Sequence, residues 1–145
     1  MVSSPTSFYA GDISVQDAWD KLKTDPRAQL IDVRTRAEWN FVGIPDLGQL
    51  GRRVVTIEWQ TFPDGAANPD FIAQATAAVG GDSDAPLLMM CRSGARSRAA
   101  AMALTAAGFK NSFNIVGGFE GDVDAAGHRG GVNGWKAAGL PWRQG

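Results

Sequence analysis

Cysteine is almost absent from this chain: one occurs in 145 residues, Cys91, beside a single histidine and a single tyrosine. One cysteine forms no internal disulfide. With no Cys-x-x-Cys pair and no Cys/His cluster, the ligands for structural zinc are missing as well. Charge of one sign is also lacking. Fourteen Lys and Arg stand against 15 Asp and Glu, for a formal net charge of −1. That balance, with no long basic run, argues against nucleic acid or an anionic membrane surface as a partner. No apolar stretch approaches the roughly 20 residues of a membrane span. The opening Met1-Val2-Ser3-Ser4-Pro5-Thr6 has no basic segment followed by an apolar one, so no secretory signal is expected there. The expected setting is cytoplasmic and reducing, which suits a lone thiol. A chain of this length is expected to form one domain, residues 1–145, large enough to bury a core without staples.

What is present centres on that cysteine. Pro86-Leu87-Leu88-Met89-Met90 reads as a short buried strand, apolar and preceded by the polar Asp82-Ser83-Asp84. The run from Ser97 to Leu104 is rich in good helix formers. Between them lies Cys91-Arg92-Ser93-Gly94-Ala95-Arg96-Ser97. A strand-to-helix loop of small residues can curl its N–H groups toward one point, and the helix N-terminus adds partial positive charge there. Such a loop stabilises a thiolate and holds an anion beside it. A lone cysteine after an apolar strand is often an inert core residue. Two arginines and two serines within six residues are poor companions for that role, and Cys91 is read as a nucleophile.

The rest of the chain alternates strands and helices. Ser14 is placed to cap a helix over Val15–Leu22 with Val15, Ala18, Trp19 and Leu22 on one face, ending at Asp25-Pro26. Gln29–Arg34 reads as a strand. Thr35 caps a short helix, Arg36–Phe41, with Glu38 at the capping-box position, and Gly43–Asp46 breaks it. Arg53–Trp59 reads as a strand and Phe62-Pro63-Asp64-Gly65 as a turn. Asn68-Pro69 starts a helix with proline at its first position, running to about Val79. Gly108 closes the helix that follows Cys91. Asn111–Val116 reads as the last strand, and Gly117-Gly118 turns the chain. This order implies a doubly wound, mostly parallel α/β sheet of five strands with helices on both faces. Ligands bind such sheets at the carboxyl ends of the strands, where Asp32-Val33-Arg34 and Cys91 both lie. The segment 121–134 is polar and glycine-rich, too long for a plain connector. His128 within it is expected to be solvated. Trp59, Trp135 and Trp142 are expected in core or rim packing, and Met89-Met90 in the core.

Several motifs, in order, resemble the single-domain rhodaneses. They are Leu30-Ile31-Asp32-Val33-Arg34 with Glu38-Trp39, then Ile44-Pro45, the Cys91–Ser97 loop, and Gly117-Gly118 with Trp135-Lys136-Ala137-Ala138-Gly139-Leu140-Pro141. The resemblance covers a core of about residues 13–141. Two departures stand out. Val42-Gly43 occupy the place of the family's Gly-His, and 121–134 appears as an insertion before Trp135. Four residues separate Cys91 from Arg96, as in the sulfurtransferases; the related phosphatases and arsenate reductases carry one more, and so a wider cradle.

The resemblance implies a thiosulfate sulfurtransferase. Cys91 takes the outer sulfur of a sulfane donor such as thiosulfate and becomes a persulfide, and a thiol or cyanide then removes that sulfur. Arg92 and Arg96 are expected to hold the donor's oxygens. The N–H groups of Ser93, Gly94, Ala95, Arg96 and Ser97 are expected to cradle the persulfide. Asp32 and Arg34 are expected as supporting residues, Asp32 by pairing with a loop arginine such as Arg96. Glu38 is expected to cap its helix or pair with Arg34. No metal or cofactor is required. The expected partners are a small sulfur-containing anion as donor and a low-molecular-weight or protein thiol as acceptor, with no nucleic acid and no membrane. Two other readings stand beside this one. The first is a persulfide carrier of low turnover that docks on a protein. The second is a phosphatase or arsenate reductase on the same fold.

Overall fold

The computed structural model describes residues 8–61 and 63–144. Met1–Thr6 and Phe62, the first residue of the turn expected at 62–65, lie outside the described residues. The elements run β1 (Gly11–Ile13), α1 (Val15–Thr24), β2 (Gln29–Asp32), α2 (Arg36–Phe41), β3 (Ile44–Pro45), a 3₁₀ turn (Gly48–Leu50) and β4 (Val55–Thr56). Then follow α3 (Phe71–Ala78), β5 (Leu87–Met90), α4 (Ala95–Ala106), β6 (Ser112–Ile115), α5 (Gly134–Ala137) and β7 (Trp142–Arg143).

Five strands form one sheet in the order β1-β6-β5-β2-β4, every pairing in it parallel. β5 lies at the centre, and all four of its residues are buried. Side chains of a strand alternate between faces, and the alternation divides the core in two. Leu88 and Met90 join Leu30, Ile115, Trp19 and Leu22 of α1, and Trp135 of α5 on one face. Leu87, Met89 and Cys91 join Ile31, Phe71 of α3, and Ala100, Ala101 and Leu104 of α4 on the other. Each large apolar side chain buried this way contributes roughly 1.5–3 kcal/mol. A near-continuous apolar run at β5 is what a strand covered on both faces requires. The molecule is therefore the α/β sheet with helices on both faces that the pattern implied.

Sequence signals set most helix ends. The Ser14 side chain accepts from Asp17 N–H, and the buried stripe of α1 is Val15, Ala18, Trp19 and Leu22. Thr35 and Glu38 form the reciprocal capping box of α2.

Three elements differ from expectation. The strand foreseen over Arg53–Trp59 shrinks to Val55–Thr56, although Ile57 N and Trp59 N still bond the carbonyls of Asp32 and Val33. Pro69 is not the first residue of α3, which begins two residues later at Phe71. Asn68 is the cause: its side chain accepts from Asp70 N–H and donates to the Glu58 carbonyl and Gln74, so the chain turns there before the helix starts. β1 is the fifth strand. Its three residues pair with β6 and are too few to show a period. No helix among the described residues is long and apolar enough to cross a membrane.

Candidate active site

β5 delivers Cys91 to the carboxyl edge of the sheet, where the chain turns into α4. The turn is held from the segment after β6. Phe119 N–H donates to the Cys91 carbonyl at 2.8 Å, and the N–H groups of Glu120 and Gly121 share the Arg92 carbonyl at 3.0 Å. Gly118 makes this approach possible. A Cβ there would collide with the backbone of Cys91 and Arg92, and its φ of +58° disfavours any L side chain. Gly118→Ala is expected to destabilise the fold by at least about 1–3 kcal/mol through strain alone, read as a lower urea midpoint; an unchanged midpoint would mean that the turn relaxes freely.

Cys91 is 1 % exposed. Gly94 N–H donates to its Sγ at 3.1 Å. Gly94 is the N-cap of α4, with φ of 129°, and the first N–H groups of a helix lack intrahelical partners. The Ser97 hydroxyl, fully buried on the first turn of α4, lies 3.2 Å from the same sulfur and 2.6 Å from Asn114 Oδ1. Strand, cap and helix therefore converge on one sulfur, to which Gly94 alone of the loop's N–H groups donates.

The two arginines of the loop differ. Arg96 makes a two-toothed bond with Glu38, Nη1 to Oε1 at 2.7 Å and Nη2 to Oε2 at 2.9 Å. The expected pairings of Asp32 with Arg96 and of Glu38 with Arg34 are not made. Asp32 instead receives Nε and Nη2 of Arg34 at 2.9 and 2.7 Å, with both side chains fully buried. The reason is reach within one strand end: residues 32 and 34 share a face, while α2 sets Glu38 in front of α4. Arg34 also donates to the Gly43 carbonyl and lies 4.2 Å above the Phe119 ring. The Asp32–Arg34 pair thus braces Phe119, whose N–H holds the Cys91 carbonyl. Arg92 enters none of the ion pairs among the described residues.

An open cleft of about 580 Å³ lies in front of the loop, between Thr35, Glu38, Phe41 and Val42 on one side and Arg92, Arg96 and Glu120 on the other. Phe41 is 80 % exposed at its wall. The glycine-rich segment 121–134 does not line this cleft. It closes on itself: Arg129 donates to the Gly121 carbonyl, Gly130 N–H to the Glu120 carbonyl, and Asp122 N–H to Asn133 Oδ1. His128 is exposed there. Trp135 is buried against Trp19, Trp59 packs edge-on to Phe71, and Trp142 packs on Phe119. Gly43, at the place of the family's histidine, is crowded: a Cβ would lie 2.7 Å from the Arg143 carbonyl and 2.9 Å from the Trp142 ring. β7 pairs with β3 in that space.

Burial alone would raise the Glu38 carboxyl, but the Arg96 guanidinium and the Thr35 donors outweigh it and hold it at about 2. Arg96 is raised in turn, by its bond to Glu38. A carboxyl depressed on folding stabilises fully above its unfolded value and loses that contribution as pH falls through the folded one. The pair's stabilisation is therefore present above about pH 4.5 and disappears toward about pH 2. Across that window wild-type protein is expected to lose more unfolding free energy than Glu38→Gln, in urea titrations at stepped pH. Parallel losses would show that the pair contributes little.

Sequence reasoning did not find Asn114 or Glu120. The signal for Asn114 was available: an amide between Phe113 and Ile115, in a strand that the parallel sheet buries.

The domain model described as the STR4 middle domain matches residues 10–145. The uncharacterized protein RC0915 of Rickettsia conorii is 39 % identical over 126 residues, 87 % of this chain and 91 % of that protein. Thiosulfate sulfurtransferase GlpE of Actinobacillus succinogenes is 26 % identical over 130 residues, 90 % of this chain and 87 % of its own. Among solved structures, Rv0390 from M. tuberculosis superposes with a TM-score of 0.85 at 50 % identity, covering 94 % of this chain and 99 % of that one. The STR4 middle domain is a rhodanese-like domain, its match spans all but the first nine residues, and the parallel sheet with its Cys91 loop follows the same plan: the chain belongs to the rhodanese-like family.

Proposed function

We infer that the protein is a sulfurtransferase that moves a sulfane sulfur from thiosulfate, or a similar small donor, to a thiol through a persulfide on Cys91. The observation that carries this reading is the Gly94 N–H aimed at Cys91 Sγ from the cap of α4, within a loop that leaves only four residues between Cys91 and Arg96. In the first half-reaction the Cys91 thiolate attacks the outer sulfur of the donor. A sulfur–sulfur bond forms to Cys91, the donor's own sulfur–sulfur bond breaks, and its electron pair leaves on sulfite. In the second, a nucleophile attacks the outer sulfur of the persulfide and the Cys91 thiolate departs. Sulfite leaves as a stable anion, so its departure needs no proton donor. Arg92 lines the cleft with no ionic partner among the described residues, which supports the reading that it holds the donor oxygens.

The near-complete burial of Cys91 favours a donor whose reacting atom is terminal and one atom wide. It disfavours a phosphoryl or arsenate centre, which must bring three oxygens up to the sulfur. A second reading, transfer of the persulfide to a protein thiol, is favoured by Phe41, an exposed aromatic on the cleft wall. Similarity to thiosulfate sulfurtransferase GlpE supports the general class. The experiment is intact mass after brief exposure to thiosulfate. The expected gain is one sulfur atom, about 32 Da, discharged by cyanide. No gain with thiosulfate would overturn that donor, and polysulfide in its place would then test the class.

A further inference from the structure

A chain of hydrogen bonds runs from the edge of the sheet to the sulfur. Tyr9 O–H donates to Asp12 Oδ1 at 2.8 Å. Asn114 Nδ2 donates to the same oxygen at 3.1 Å. Asn114 Oδ1 lies 2.6 Å from Ser97 Oγ, and Ser97 Oγ lies 3.2 Å from Cys91 Sγ. Asp12 is exposed on β1, Asn114 is buried on β6, and the register Asp12↔Asn114 places them side by side.

The direction of this chain follows from donor counting. A carboxylate only accepts, so the amide facing Asp12 presents its NH₂ there. Its carbonyl oxygen then faces Ser97. A hydroxyl has one proton, and the shorter contact, 2.6 Å to Asn114 Oδ1, takes it. The lone pairs of Ser97 are left to face Cys91. They accept from a thiol S–H and give nothing to a thiolate or a persulfide anion. For Ser97 to donate to sulfur, it must turn away from Asn114.

Resting on the reading of Cys91 as the reactive thiol, we propose that Asn114, oriented by Asp12, is a positioning residue that draws the Ser97 proton away from Cys91 and so favours the protonated thiol at rest. Gly94 N–H opposes it by donating to the sulfur. Arg96 of α4 lies within the field of both Cys91 and Asp32 of β2, and Arg92, the other charged residue of the loop, lines the cleft. At the far end, Arg98 of α4 lies 5.9 Å from the centre of the Tyr9 ring. Burial pushes the Tyr9 phenol up, and Asp12 adds to this, so Tyr9 remains a donor to Asp12 throughout the neutral range.

The test is the pH profile of Cys91 alkylation by iodoacetamide, followed by intact mass. It needs no sulfur donor, so it succeeds or fails independently of the sulfurtransferase reading. Asp12→Ala removes the acceptor, frees the amide of Asn114 to reverse, and lets Ser97 donate to sulfur. Its alkylation midpoint is expected about one pH unit to the acid side of wild type, roughly a tenfold faster reaction below the midpoint. Asp12→Asn removes the same charge but keeps an oxygen that Tyr9 and Asn114 can bond, and is expected to retain the wild-type profile. In a Ser97→Ala background, Asp12→Ala is expected to shift nothing. Equal shifts in Asp12→Ala and Asp12→Asn would assign the effect to charge alone and overturn the proposal. So would an unshifted Asp12→Ala, or a shift that persists without Ser97. Asp12 lies on the surface, and loss of its side chain leaves the core intact.

Discussion

Cys91→Ala is expected to take up no sulfur from thiosulfate and to turn over neither cyanide nor thiol, while still unfolding cooperatively. The expectation is sharp because the chain has no second cysteine to substitute. The change removes one buried atom and leaves the Gly94 N–H without its acceptor. The combined cost is about 1–3 kcal/mol, within the margin of an ordinary domain. Cys91→Ser separates packing from chemistry. It restores an acceptor for Gly94 and a partner for Ser97, so the loop survives, but a hydroxyl does not ionise near neutral pH and yields no persulfide. Both variants are therefore expected to show no gain of mass and at least about a thousandfold loss of turnover, since covalent catalysis is removed outright. Turnover retained in Cys91→Ala would refute the persulfide route.

Arg92→Ala and Arg96→Ala are expected to fail differently. Arg92 faces the cleft without an ionic partner among the described residues. Its removal deletes a charge-assisted contact to the donor and is expected to raise the thiosulfate KM roughly tenfold or more, with the urea midpoint unchanged. Arg96 is committed to Glu38 through two bonds. Its removal strands a half-buried carboxylate at the mouth of the site and is expected to destabilise the fold by about 1–3 kcal/mol. The Glu38→Gln, Arg96→Ala double variant is expected to recover part of that loss, because the stranded charge is gone. The reverse pattern, with Arg92 structural and Arg96 affecting only KM, would exchange the two roles.

Local rules account for what could be read early. The capping box at Thr35 and Glu38, the stripe of α1 and the apolar run of β5 each depend on residues a few positions apart, and all three stand in the structure where their patterns lie. The Cys91 loop was legible in part for the same reason: a short turn into a helix aims one N–H group, that of Gly94, at the sulfur.

Elsewhere long-range neighbours overrode local preference. The β-rich run Arg53–Trp59 became two paired residues because β2 offers it only Ile31 and Asp32 as register partners. The glycine-rich segment 121–134 folds onto its own neck rather than over the cleft. Charge complementarity in the sequence allowed Asp32 and Glu38 to choose among three arginines.

Residue types and short spacings were enough to specify an α/β sheet and a single thiol at the carboxyl end of its central strand, because propensity, capping and alternation act within a few residues. Which arginine remains open to a donor, and which amide stands behind Ser97, came from the packing of α2 against α4 and of β6 against β1. Those contacts join residues 58 and 102 positions apart, a separation at which composition and spacing carry no geometric information.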